Sequence, residues 1–76
     1  MGDNMEMESR LPEIMNDRGM TQAHLVRRTG ANKTTINNIV KYGQIPKLPL
    51  AYKIAKELNL HIEDIWFIKE NKNEQL

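Results

Sequence analysis

The stretch Thr21 to Gly43, TQAHLVRRTGANKTTINNIVKYG, constrains this chain more than any other. It predicts two short helices joined by a tight turn. Thr21 is placed to cap the first, its hydroxyl accepting from a free N–H in the opening turn. Gln22 to Arg28 then makes a compact helix with Leu25 and Val26 turned inward. Thr29-Gly30-Ala31 is the turn, and Gly30 stands where helices commonly end in a left-handed residue that glycine adopts without steric cost. Asn32 is a second N-cap. From Lys33 onward Ile36, Ile39 and Val40 fall on one apolar stripe, and Lys33, Thr34, Asn37, Asn38 and Lys41 on the opposite polar one.

The polar stripe carries cations, a hydroxyl and amides, but no carboxylate. An ordinary solvated helix face mixes Glu with Lys. A face that enters a DNA groove needs donors, acceptors and cations, and phosphate repels carboxylates. The charge of the whole chain agrees. A net charge of +1 conceals a segregation: residues 1–17 hold one basic and five acidic side chains, residues 18–56 eight basic and no acidic, and residues 57–76 two basic and five acidic. A basic block flanked by acidic ones is an electrostatic footprint for a polyanion.

With 76 residues there is room for one domain and a small core. The chain has no cysteine, hence neither disulfide staple nor thiolate metal site, which fits a reducing cytoplasm. No apolar run approaches the roughly 20 residues that span a bilayer, and no signal-peptide core opens the chain. Residues 1–8 are expected to form a disordered leader, residues 9–68 the folded domain and residues 69–76 a polar, frayed tail. The first helix is expected from Ser9, as cap, to Arg18, with Leu11, Ile14 and Met15 inward and Pro12 in its first turn. Met20 then packs before the Thr21 cap as a hydrophobic staple. After a basic turn, a fourth helix covers Leu48 to Asn59, with Leu50, Ala51, Ile54, Ala55 and Leu58 as its inner face. A short fifth helix runs from about Ile62 to Ile68. Nothing reads as a strand, so the expected class is all-α with five helices.

The span from Arg10 to Phe67 resembles the Cro/repressor-type (XRE-like) helix-turn-helix family of phages and bacteria. The residues that carry the resemblance are Thr21-Gln22, Leu25, Gly30, Ile36, Ile39 and Gly43, then Pro46, Ala51, Ile54-Ala55, Leu58 and Ile62-Glu63-Asp64-Ile65. The resemblance implies a compact lambda-repressor-like domain with its third helix in the major groove. It implies that Lys33, Thr34 and Asn38 read base edges with Asn37 assisting. Lys33 would donate to guanine and Asn38 pair with adenine. It implies phosphate contacts by Gln22, Thr35, Lys41, Gly43, Gln44 and Lys47, and free N–H groups at the start of the fourth helix aimed at a phosphate. Three departures stand out. Val26 replaces a usual alanine in the contact between the second and third helices, Tyr42 an asparagine, and Lys47 a serine cap.

Other residues invite blander readings. His24 is expected at the surface, and His61 to shape the start of the fifth helix. The two histidines, without cysteine, make no zinc site. Glu63 and Asp64 suit the first turn of a helix for electrostatic reasons. Arg27 and Arg28 are either solvated or in contact with DNA. Tyr52 is expected to be partly buried. Trp66, Phe67 and Ile68 exceed what one face of so short a helix can bury, so the surplus is a candidate dimer contact. The expected function is a sequence-specific, double-stranded DNA-binding transcriptional regulator. The simplest form is a repressor acting as a weak homodimer at the nucleoid of a bacterial or phage-infected cell, without metal or cofactor. Two alternatives are the antidote half of a toxin–antidote pair, binding its promoter and a toxin, and a protein-interaction module that has lost DNA binding. No nucleophile–base set, phosphate loop or metal cluster points to an enzyme.

Overall fold

The computed structural model describes residues 6–69 of the chain. In order, the elements are β1 (Met7–Ser9), α1 (Leu11–Arg18), α2 (Gln22–Thr29), α3 (Lys33–Tyr42), α4 (Leu48–Leu58), α5 (Ile62–Ile65) and β2 (Trp66–Ile68). Each of the first four helices ends on a residue with left-handed backbone geometry. At Gly30 and Gly43, with φ of 81° and 72°, an added Cβ would meet nothing within 4 Å, so the backbone angle and not crowding calls for glycine. The end of α3 is closed by Gln44, whose N–H reaches back to the Asn38 carbonyl at 3.1 Å.

The capping residues act as their spacing predicts. Thr21 Oγ1 accepts from the His24 N–H at 3.1 Å, and Asn32 Oδ1 from the Thr35 N–H at 2.8 Å. The stripes read from the sequence converge on one core of Leu11, Met15, Leu25, Ile36, Ile39, Ala51, Ile54, Ala55, Leu58, Ile65 and Trp66. Ile14, Met20, Val26, Val40, Leu50 and Ile62 pack against its edge. Arg18, at the end of α1, donates from its guanidinium to the Leu58 carbonyl at 2.6 Å. That places a cation at the negative end of α4.

Expectations at the two ends of the chain are corrected. The fold is not free of strand: β1 and β2 pair antiparallel, with Met7 opposite Ile68, Glu8 opposite Phe67 and Ser9 opposite Trp66. The fifth helix stops at Ile65 instead of Ile68, because Trp-Phe-Ile is extended and finds a backbone partner at the other end of the chain. Bonds from the Arg10 N–H to the Ile65 carbonyl at 2.8 Å and from the Lys69 N–H to the Glu6 carbonyl at 2.9 Å extend the tie. Met7 and Glu8, expected in a leader, therefore lie in a strand, while residues 1–5 and 70–76 lie outside the described residues. The start of α1 also differs. Ser9 Oγ accepts from the Leu11 N–H at 3.2 Å, but Arg10 occupies the capping position and its side chain makes no cap bond.

Candidate nucleic-acid interface

The α2–turn–α3 unit presents its polar stripe outward because the opposite stripe is saturated by packing. Ile36 and Ile39 are fully buried. Lys33, Thr34 and Lys41 are exposed, and Asn37 and Asn38 are half-buried on the flanks of the same face. Lys33, Asn37 and Lys41 follow one another at four-residue steps, as do Thr34 and Asn38, so they form adjacent rows along the helix. Asn32 anchors the first turn of α3, which places Lys33 and Thr34 directly after a fixed point. Thr35 is half-buried, and its N–H is already used by that cap.

The other expected contact residues stand at the start of α2 and on the connection after α3. Gln22 is the first residue of α2 and half-buried. Gly43, Gln44 and Lys47 are exposed on the connection that follows α3. Lys47 precedes α4 and makes no side-chain cap bond. The first turn of α4 therefore keeps unpaired N–H donors, apart from Pro49, which has none. Tyr42 and Leu48 are exposed, at 76% and 69%.

Glu57 is the residue that the linear order concealed. Its Oε1 accepts from Arg28 Nε at 3.0 Å and its Oε2 pairs with His24 Nε2 at 3.0 Å. An ionised carboxylate only accepts, so Nε2 is the ring nitrogen that carries the proton. The Arg28 guanidinium, and after it His24, hold the Glu57 carboxyl below the usual carboxylate range. This clasp ties α2 to α4 and gives His24 a definite partner instead of a merely solvated position. It also turns Arg28 towards α4, whereas Arg27 is exposed and has no ion-pair partner among the described residues. The single sequence hint was that Glu57 is the first acidic residue after the acid-free block.

At the chain's exit, Trp66 is 3% exposed and belongs to the core, so it has no surface for a partner. The candidate dimer contact is corrected to exclude it. Phe67 is half-buried beneath the Arg10 guanidinium, 5.0 Å from its ring centre. Ile68 is exposed, as is Met7 across the strand pair. Tyr52 is exposed rather than partly buried, with Lys56 Nζ 5.7 Å above its ring, because Ala51, Ile54, Ala55 and Leu58 already fill the inner face of α4.

Residues 10–69 match the family model of the Cro/C1-type HTH DNA-binding domain. The chain belongs to this family. It is similar to an uncharacterised HTH-type transcriptional regulator of Archaeoglobus fulgidus, 39% identical over 66 residues that cover 87% of this chain and 93% of that one. A regulator so described from Methanothermobacter thermautotrophicus is 36% identical, over 86% of this chain and 96% of its own. The HTH-type regulator YgzD of Bacillus subtilis is 30% identical, over 84% and 97%. As a member of the family, the chain is a DNA-binding transcriptional regulator, and the exposed stripe of α3 lies on the helix-turn-helix itself. Among the described residues no helix is long and apolar enough to cross a membrane.

Proposed function

We propose that the chain is a repressor. Two copies occupy a twofold-symmetric operator at the nucleoid, in the cytoplasm, and keep polymerase off it, with α3 of each in the major groove. The observation that supports this most is the acid-free polar stripe of α3, with Lys33, Thr34 and Lys41 exposed, Asn37 and Asn38 half-buried between them, and Ile36 and Ile39 buried behind. Lys33, Thr34, Asn37 and Asn38 read base edges. Gln22, Thr35, Lys41, Gly43, Gln44 and Lys47 hold phosphates, which sets register without carrying base information. One recognition helix reads only about four to six base pairs, too few to select a site among many competitors. Two helices about 34 Å apart double the readout. The exposed apolar pair of Met7 and Ile68, beside Phe67, is the surface through which the copies associate weakly.

Binding-site selection on random duplex DNA tests the proposal. The expected product is a palindromic sequence with half-sites about one helical turn apart. Failure to enrich any sequence would refute it. The dimer surface is tested by Met7→Glu combined with Ile68→Lys, which erases the apolar pair but leaves opposite charges facing across the strands. Binding to a two-half-site duplex should lose cooperativity while single-half-site binding persists. Unchanged cooperativity would place the interface elsewhere.

A further inference from the structure

Apart from the indole N–H of Trp66, Thr29 carries the single buried polar side-chain group among the described residues, at 6% exposure. It closes α2, immediately before the turn that leads to α3. Its Oγ1 donates to the Leu25 carbonyl at 2.7 Å and accepts from the Ala31 N–H at 3.2 Å. One hydroxyl can do both, having one proton and two lone pairs. Leu25 is fully buried, so the first bond anchors the hydroxyl to the core. The second draws in the backbone one residue before Asn32, whose side chain then caps α3. The link from core to recognition helix thus runs through Thr29, Ala31 and Asn32, with Gly30 bonded back to the Val26 carbonyl at 3.0 Å.

Packing holds this turn on one side only: Thr29 is buried and Ala31 packs against the core, while the Gly30 side is open. Nothing lies within 4 Å of where a Gly30 Cβ would stand. A shallow hollow lined by Thr29, Gly30, Ala31, Pro49, Leu50 and Lys53 separates the turn from α4. With that side open, the hydrogen bonds of Thr29 add to the packing in fixing the turn, and α3 magnifies any error there. α3 has ten residues. A tilt of about 10° at its start moves the backbone at Asn38, the last of the proposed base readers, by roughly 1.3 Å at 1.5 Å rise per residue. That exceeds the tolerance of a hydrogen bond to a base edge.

We infer that Thr29 is a positioning residue for sequence readout: its hydroxyl sets the angle at which α3 leaves α2. The inference rests on the reading of α3 as the base-reading helix, and its test has one readout that involves no DNA. Thr29→Val keeps the shape and removes the hydroxyl. Thr29→Ala, which cannot crowd the core, is measured beside it, and Thr29→Ser restores the hydroxyl. Residual dipolar couplings of the DNA-free proteins, at a temperature where circular dichroism shows each folded, give the α2–α3 angle. Competition binding gives the ratio of affinity for the selected site to that for a scrambled duplex.

Thr29→Val and Thr29→Ala should both tilt α3 and lower that ratio about tenfold, leaving non-specific affinity within about twofold, and Thr29→Ser should restore both quantities. An unchanged angle would overturn the inference. So would equal losses on both duplexes, the mark of mere destabilisation, or a serine variant that restores nothing. If the unmodified protein prefers no sequence, the base-reading proposal fails by itself, and the measured angle alone decides the role of Thr29.

Discussion

The Glu57 carboxylate holds two groups of another helix, and it is held in turn, since Arg28 and His24 lower its pKa below the ordinary 4.5. A depressed carboxyl contributes stability that is complete above the unfolded value and is lost as pH falls through the folded one. Glu57→Gln should therefore be less stable than the parent at neutral pH, and the gap should close as pH drops below about 4.5. Urea melts across that range check it, and a gap independent of pH would show that the clasp is not ionic. With 20% of the Glu57 side chain exposed, added salt should shrink the effect. On the DNA side, Lys33→Ala and Asn38→Ala should each relax preference at one base position, at about 1–3 kcal/mol per good contact. Gln22→Ala should weaken all sequences alike. Competition against single-base operator variants separates the two behaviours, and uniform losses for Asn38→Ala would misplace the reading face.

Among the elements, α2 and α3 have side-chain N-caps and α4 has none. Lys47 has the extended backbone that a cap requires, φ −69° and ψ 160°, but no side-chain oxygen to offer. Lys47→Ser should therefore stabilise the domain by about 0.5–1 kcal/mol. The same change removes a cation from the proposed phosphate contacts and should weaken DNA binding. Thermal melts and binding titrations should thus move in opposite directions, and loss of stability in the variant would contradict the capping account. At the other end, the strand pair shows how an element can follow from its partner. Trp-Phe-Ile suits a strand, and pairing with Met7–Ser9 supplies backbone bonds that three more residues of a short helix would have had to find alone.

Taken as a whole molecule, the acid-free block of residues 18–56 is not eight equal cations. Arg18 serves the end of α4, Arg28 serves Glu57, and Lys56 lies over Tyr52. Arg27, Lys33, Lys41, Lys47 and Lys53 are exposed, with no ion-pair partner among the described residues. If three to five phosphates are neutralised per copy, a dimer on its operator should show a log–log salt slope of roughly −5 to −9. Filter binding or fluorescence anisotropy across salt concentrations measures it. A binding constant that ignores salt would contradict the electrostatic account.

What was legible in the sequence is what neighbours along the chain decide. The Thr21 and Asn32 caps, the left-handed glycines and the Ile36–Ile39 stripe all depend on groups within about four residues, where helix geometry alone brings partners together. The polar face of α3 follows, since burying one stripe exposes the other. What only the tertiary structure decided involves partners far apart in order. Pairing across the fold turned Trp66–Ile68 from helix to strand and took Trp66 out of reach of a second copy. Packing of α2 on α4 brought Glu57 to His24 and Arg28, and a filled inner face left Tyr52 outside. No local rule states such distances, because they are set by how the helices pack once the shared core has closed.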